Sequence, residues 1–189
     1  MQKSNYKKGE VETLINFAQK GDIKALEELI RRVQKDVYAF FSHLTDKKED
    51  ISDLTQEALL KMAKNINQLK ELKKFKPWLN QIITNTYYDF NRKNNIDKTI
   101  EYDEEKIKEI KDKLGCEPGE KCIFSEMEKI IRIALMTLPK DLRITLLLRE
   151  FEGLTYSDIA QITNTAIGTV KSRISRARLK LQEELKEFI

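Results

Sequence analysis

Near the C-terminus, Thr169, Lys171, Ser172, Arg173, Ser175, Arg176 and Arg178 crowd into a short stretch. Arg and Lys bond guanine edges or phosphates, and Ser and Thr hydroxyls bond either a base or a phosphate, so these types on one helix suit the major groove of DNA. Gly168, just ahead of them, lacks a Cβ and would let a DNA backbone approach the helix amides. A second set lies in the first half. Asp50, Asp53 and Glu57 fall at i, i+3 and i+7, along one face of a helix, with Gln56 beside them. Clustered carboxylates can hold a metal or carry out acid–base chemistry. Here no His stands in register, no glycine-rich phosphate loop occurs and no nucleophile has a partner, so neither an enzyme nor a metal or cofactor site is expected. A solvated acidic face is the plain alternative. A third set, Lys70, Lys73, Lys74, Phe75, Lys76 and Trp78, interleaves basic and aromatic groups, and Asn80, Asn85, Asp89 and Arg92 follow on the polar side of a helix. Lysines suit phosphates; an unstacked base suits an aromatic or amide-lined pocket. Phe75 and Trp78 are equally suited to a core, and Asp89 could simply pair with Arg92.

Helices must position these groups. The 189 residues hold only 6 Gly and 3 Pro, and Lys+Arg 35 nearly balances Asp+Glu 31, for a net charge of +4. Leu, Ile, Lys and Glu dominate, which favours an all-α chain. Apolar residues recur at helical intervals from Val11 to Ala18 and from Ile23 to Leu44, with Asp22 as N-cap of the second run. A third helix turns Leu54, Ala58, Leu59, Met62 and Ile66 inward, and a fourth, opened by Pro77, carries Trp78, Leu79, Ile82, Ile83, Thr86, Tyr87 and Phe90. The periodicity then fades through Asn94-Asn95, Pro118 and Gly119, which reads as a linker. Ser125 and Glu128 form a capping-box pattern before Ile130 to Leu138. The next helix runs from Asp141 to about Phe151 and ends at Gly153. Thr155 with Asp158 starts a short one, and Thr165 begins the last. Short helix, tight turn and longer helix make a helix-turn-helix, with Ile159, Ala160 and Ile162 packing on Ile167, Val170, Ile174, Ala177 and Leu181. The reading is therefore an all-α fold of two helical domains joined by a flexible linker: residues 1–92, 93–124 and 125–189.

Two cysteines, Cys116 and Cys122, lie in the linker, and with His43 distant they suggest neither a disulfide framework nor a structural zinc site. Reduced thiols are expected there. No apolar run approaches the roughly 20 residues that span a bilayer, and the polar start Met1 to Asn5 is no leader, so a cytoplasmic protein without membrane insertion is expected.

Glu152-Gly153-Leu154-Thr155-Tyr156-Ser157-Asp158-Ile159-Ala160 followed by Gly168-Thr169-Val170-Lys171-Ser172-Arg173-Ile174-Ser175-Arg176-Ala177-Arg178 resembles region 4 of the small sigma factors of the sigma-70 superfamily, the extracytoplasmic-function (ECF) group. Response-regulator output domains share part of that pattern. Asp50 to Glu57 resembles the Asp-x-x-Asp-Leu-x-Gln-Glu motif of sigma region 2, and Phe75, Trp78-Leu79, Ile82, Asn85, Asp89 and Arg92 resemble its promoter-melting part. Together the motifs cover nearly the whole chain in order.

The resemblance implies partners and roles. Asp50, Asp53, Leu54, Gln56 and Glu57 would dock on core RNA polymerase. Lys73, Lys74, Phe75, Lys76, Trp78, Asn80, Asn85 and Arg92 would contact the −10 element of promoter DNA. Tyr156, Gly168, Thr169, Lys171, Ser172, Arg173, Ser175, Arg176 and Arg178 would contact the −35 element. It also implies an anti-sigma factor as a partner and a monomer when free. The lysine-rich stretch 65–76, where such factors capture a flipped base, matches no readable pattern. From Glu101 to Glu128 acidic residues outnumber basic ones, which suits a segment that mimics nucleic acid in the polymerase or a plain tether. The competing reading is a helix-turn-helix regulator whose N-terminal helical domain senses a ligand or dimerises.

Overall fold

The computed structural model describes residues 11–94 and 130–186. All regular elements among them are helical, and the chain divides into two compact units, Met1–Phe90 and Asn91–Ile189. The linker cysteines and the Ser125/Glu128 capping pattern lie outside the described residues.

In the first unit, α1 (Val11–Gln19) ends at Gly21, whose φ of +89° is a left-handed turn that favours glycine. α2 (Ile23–Ser42) starts as expected: the Asp22 carboxylate accepts from the Lys24 and Ala25 amides at 2.9 and 3.1 Å. α3 (Lys48–Asn65) has Glu49 and Asp50 in its first turn, where negative charge meets the positive end of the helix dipole. Two 3₁₀ turns, Ile66–Gln68 and Leu72–Lys74, lead into α4 (Phe75–Lys93). α2 packs against both α1 and α3. Leu14, Ile15, Leu29, Phe41, Ile51, Leu54 and Met62 form the fully buried centre. α4 is tied in by the Tyr87 hydroxyl, which donates to the Leu44 carbonyl at 3.1 Å, and by Lys61 of α3, whose Nζ reaches Thr86 Oγ1 at 3.3 Å.

In the second unit, a helix described over residues 130–136 (α5) turns through Leu138-Pro139 into α6 (Lys140–Glu150). Buried Arg143 holds that turn, donating to the Leu138 carbonyl and the Met136 sulfur, each at 3.0 Å. α6 is buried continuously from Leu142 to Leu148. Gly153, at φ +65°, redirects the chain into α7 (Tyr156–Ile162). Thr155 and Asp158, expected to start this helix, do so as a capping box, which is worth about 1 kcal/mol. Asn164, at φ +50°, makes the tight turn into α8 (Ile167–Lys186); Asn tolerates this region better than most residues because its short amide bonds locally. α8 therefore starts two residues past Thr165. α6 and α7 both pack on α8.

Candidate functional site

α8 buries Val170, Ile174 and Ala177, at i, i+4 and i+7, and so turns Lys171, Ser172, Ser175 and Arg176 outward, all exposed, with Thr169 half-exposed beside them. Arg176 Nε rests 3.3 Å from the Ser172 carbonyl, and Ser172 Oγ 3.0 Å from that of Thr169. These are local, solvent-exposed bonds that a base edge or phosphate can replace. A Cβ on Gly168 would meet nothing within 4 Å, and its φ is not left-handed. Nothing among the described residues requires glycine there, so the room it leaves is open. Ile167 was expected to pack inward with this stripe, but it is 46% exposed: a residue opening a helix has packed neighbours on only one side along the axis.

Three residues expected at the same surface are engaged within the unit. Arg173 is mostly covered, and its Nη2 lies 2.7 Å from Asp141 Oδ2 in the first turn of α6. Arg178 stays exposed but bonds Glu150 at the end of α6, with Nε at 3.2 Å, and this hydrogen bond raises its pKa further. The Tyr156 ring lies under the Arg149 guanidinium, 4.8 Å from carbon to ring centroid, while Arg149 also donates to the Leu154 carbonyl at 2.8 Å.

In the first unit, Asp53 and Gln56 are exposed on α3, with Asp50 and Glu57 half-exposed on the same side. Leu54 is not on that surface. It is 1% exposed, inward with Ile51 and Ala58 at helical spacing, so its role is to seat α3 and not to touch a partner. Glu57 pairs with Lys61 at 2.8 Å, and Lys61 also lies 3.5 Å from Asp89 on α4. Beside the carboxylates runs an open groove of about 510 Å³, lined by Gln34, Lys35 and Tyr38 of α2 and by Ser52, Thr55, Gln56 and Leu59 of α3. The α2 side of this groove escaped the sequence reading. Its one signal is Tyr38, an aromatic out of register with the buried Val33, Val37, Phe40 and Phe41.

At the start of α4, Lys73, Lys74 and Lys76 are exposed, Lys74 pairing with Glu71 at 3.2 Å, and Asn85 and Arg92 are exposed further along. Trp78 is half-buried, its ring 6.1 Å from that of Phe75. Two expected contacts are instead internal. Phe75 is buried, at the head of the stripe that continues through Leu79 and Ile83, and anchors the helix start. Asn80 is 2% exposed and donates to the Lys76 carbonyl at 3.1 Å. It belongs to a buried line of Asn80, Thr84, Tyr87 and Asn91, at i, i+4, i+7 and i+11, whose polarity hid it from a hydrophobic pattern.

Residues 29–96 match the family described as Sigma-70 region 2, and residues 129–181 match Sigma-70, region 4. Over 183 residues the chain is 32% identical to the ECF RNA polymerase sigma-E factor of Haemophilus influenzae, covering 94% of this chain and 96% of that one. Over 186 residues it is 30% identical to the RNA polymerase sigma-H factor of Pseudomonas aeruginosa, covering 93% and 94%. Among solved structures, the sigma factor RpoE in complex with the anti-sigma factor NepR from Bartonella quintana is similar, with a TM-score of 0.66, 28% identity and coverage of 87% and 98%. CnrH in complex with the cytosolic domain of CnrY shares the fold, with a TM-score of 0.65, 17% identity and coverage of 94% and 99%. Among the described residues, no helix is long and apolar enough to cross a membrane.

Proposed function

Because the chain belongs to the ECF group of sigma-70-family RNA polymerase sigma factors, we propose that it binds core RNA polymerase and directs promoter-specific initiation, reading the −35 element with α8 and melting the −10 element with its first domain. The observation that carries this reading is the pairing, in one chain, of an exposed carboxylate face on α3 with an outward basic and hydroxyl face on α8. A DNA-binding regulator needs only the second. Residues 1–92 form the polymerase-binding and −10-melting domain, 93–124 the connecting segment and 125–189 the −35-binding domain.

Asp50, Asp53, Gln56 and Glu57 supply charge and short polar contacts for polymerase, and the groove beside them adds Tyr38 as an apolar one. Lys73, Lys74 and Lys76 take phosphates. Trp78, Asn85 and Arg92 face the opened strand. On α8, Arg176 and Lys171 bond base edges, Thr169, Ser172 and Ser175 bond bases or phosphates, and the Gly168 turn lets a phosphate reach the helix amides. Arg178 and Tyr156 serve the flanking backbone, while Arg173 braces α8 on α6. The work is binding work: captured bases offset the cost of unstacking, and polymerase makes the RNA. The protein acts in the cytoplasm, where an anti-sigma protein holds it, as NepR holds its sigma partner.

Mixing the purified chain with core polymerase and a set of promoters tests the reading directly. Specific start sites that core enzyme alone does not produce support it. Tight dimeric binding to palindromic DNA, with no initiation, would return the chain to the regulator class.

A further inference from the structure

The stretch joining α3 to α4 is held by a residue far away in sequence. Ile66 and Leu69 are buried and pin its first turn to the core, while Asn67, Gln68, Lys70, Lys73 and Lys74 are exposed around them. Gln19, the last residue of α1, sends its amide nitrogen to the Ile66 carbonyl at 2.9 Å and to the Leu69 carbonyl at 2.8 Å. These bonds cross 47 and 50 residues. The Ile66 carbonyl also accepts from the Leu69 amide at 3.2 Å, closing the turn, and Gln68 Nε2 donates to Asn65 Oδ1 at 2.8 Å. One NH₂ group thus uses both hydrogens to grip the two ends of the turn that displays Asn67 and Gln68.

Packing does not call for this group. Leu14, Ile15 and Ala18 already bury the inner face of α1, and water could solvate the two turn carbonyls. What a fixed donor adds is direction. It sets where both carbonyls point, and with them the backbone of the two amide-bearing residues between. Asn and Gln side chains each offer a donor and an acceptor, the complement of a base edge, but they discriminate between bases only when held in one register.

We infer that Gln19 is a positioning residue for promoter reading: by clamping the Ile66–Leu69 turn it holds Asn67 and Gln68 in register against an unstacked base of the −10 element. This rests on the reading of the first domain as the −10 melter. α1 packs on α2 and on both 3₁₀ turns, and Gln19 acts on base choice through its two bonds to the first of those turns.

The test is initiation by the full chain with core polymerase on promoters that differ at single −10 positions, alongside binding of the same chain to a −35 duplex. Gln19→Met keeps the length and removes the donors. It is expected to flatten the base preference at one position by about tenfold, the effect of unfixing roughly one residue's backbone, with −35 binding unchanged. Gln19→Glu, which keeps the shape but presents oxygen in place of nitrogen, makes the same comparison should Gln19→Met not fold. A preference that survives both substitutions, or a loss of initiation equal on every promoter, overturns the inference and leaves Gln19 a stability contact. If the unsubstituted chain initiates but prefers no base at −10, the −10 reading itself fails, and the inference falls with it.

Discussion

Gly168 is a residue whose identity nothing among the described residues demands: its φ is ordinary and a Cβ would enter open space. Gly168→Ala should therefore leave the thermal midpoint unchanged or slightly raised, because Ala is the better helix former. Affinity for −35 DNA should fall by about 1 kcal/mol through loss of a backbone contact, whatever the base sequence. Arg176→Ala makes the useful contrast. It should cost about 1 to 3 kcal/mol and relax the preference at one base pair. Band-shift titrations on single-position duplex variants separate the two, and equal loss on all duplexes for Arg176→Ala would remove it from the base-reading set. Glu28 of α2 shows a residue whose role is electrostatic. Arg31 and Arg32 donate to its carboxylate at 2.7 to 2.9 Å, and those bonds, Arg31's first, lower its pKa from 4.5 to about 2. A carboxylate lowered on folding stabilises the fold fully above 4.5 and loses that contribution as the pH falls towards 2. The pair is solvent-screened, so the effect is small. In acid titrations Glu28→Gln should lose less stability between pH 4.5 and 2 than the unsubstituted chain; superimposable curves would show that the guanidinium pair does not couple to folding.

Between α6 and α8, the Arg173–Asp141 bridge connects the buried helix of the second unit to its last helix. Asp141 is 46% exposed, so the pair should contribute no more than roughly 1 kcal/mol. Arg173→Ala and Asp141→Asn should each lower the stability of the unit by about that much, and together by less than their sum, because the second change removes a bond already gone. Strict additivity in thermal melts would break the pairing. At this scale the helices themselves were legible in the amino-acid order: Asp22, the Thr155/Asp158 box and Gly153 mark their ends, and 3.6-residue periodicity marks their inner faces. Tyr87 was legible in that way, but Asn80, Thr84 and Asn91, buried in line with it, were not, since a hydrophobic pattern assigns polar residues to water. Asn80 consequently looked like a DNA contact. Leu54, bracketed by motif carboxylates, looked like a docking residue for the opposite reason: a short motif specifies positions, not which side of the helix each one takes.

For the whole molecule, which divides into two compact units, the proposed function gives each unit its own task, and a substitution on one should spare the other. Asp53 is exposed and outside the core, so Asp53→Ala should weaken capture by core polymerase by roughly tenfold while −35 binding and the melting midpoint stay put. Parallel loss of both bindings would indicate unfolding instead. The amino-acid order by itself determined the all-α class, the helix-turn-helix, the α3 carboxylate motif and the family, because these depend on residues close in sequence: caps, periodic apolar positions and short spacings. Only the tertiary structure decided which outward-looking residues are already engaged. Arg173 reaches Asp141 across 32 residues, Gln19 reaches Ile66 and Leu69 across 47 and 50, and Tyr38 joins Gln56 in one groove between helices. Hydrogen bonds and ion pairs form over about 3 Å of space, and nothing in the spacing of a sequence states which distant residues the packing of helices will bring that close.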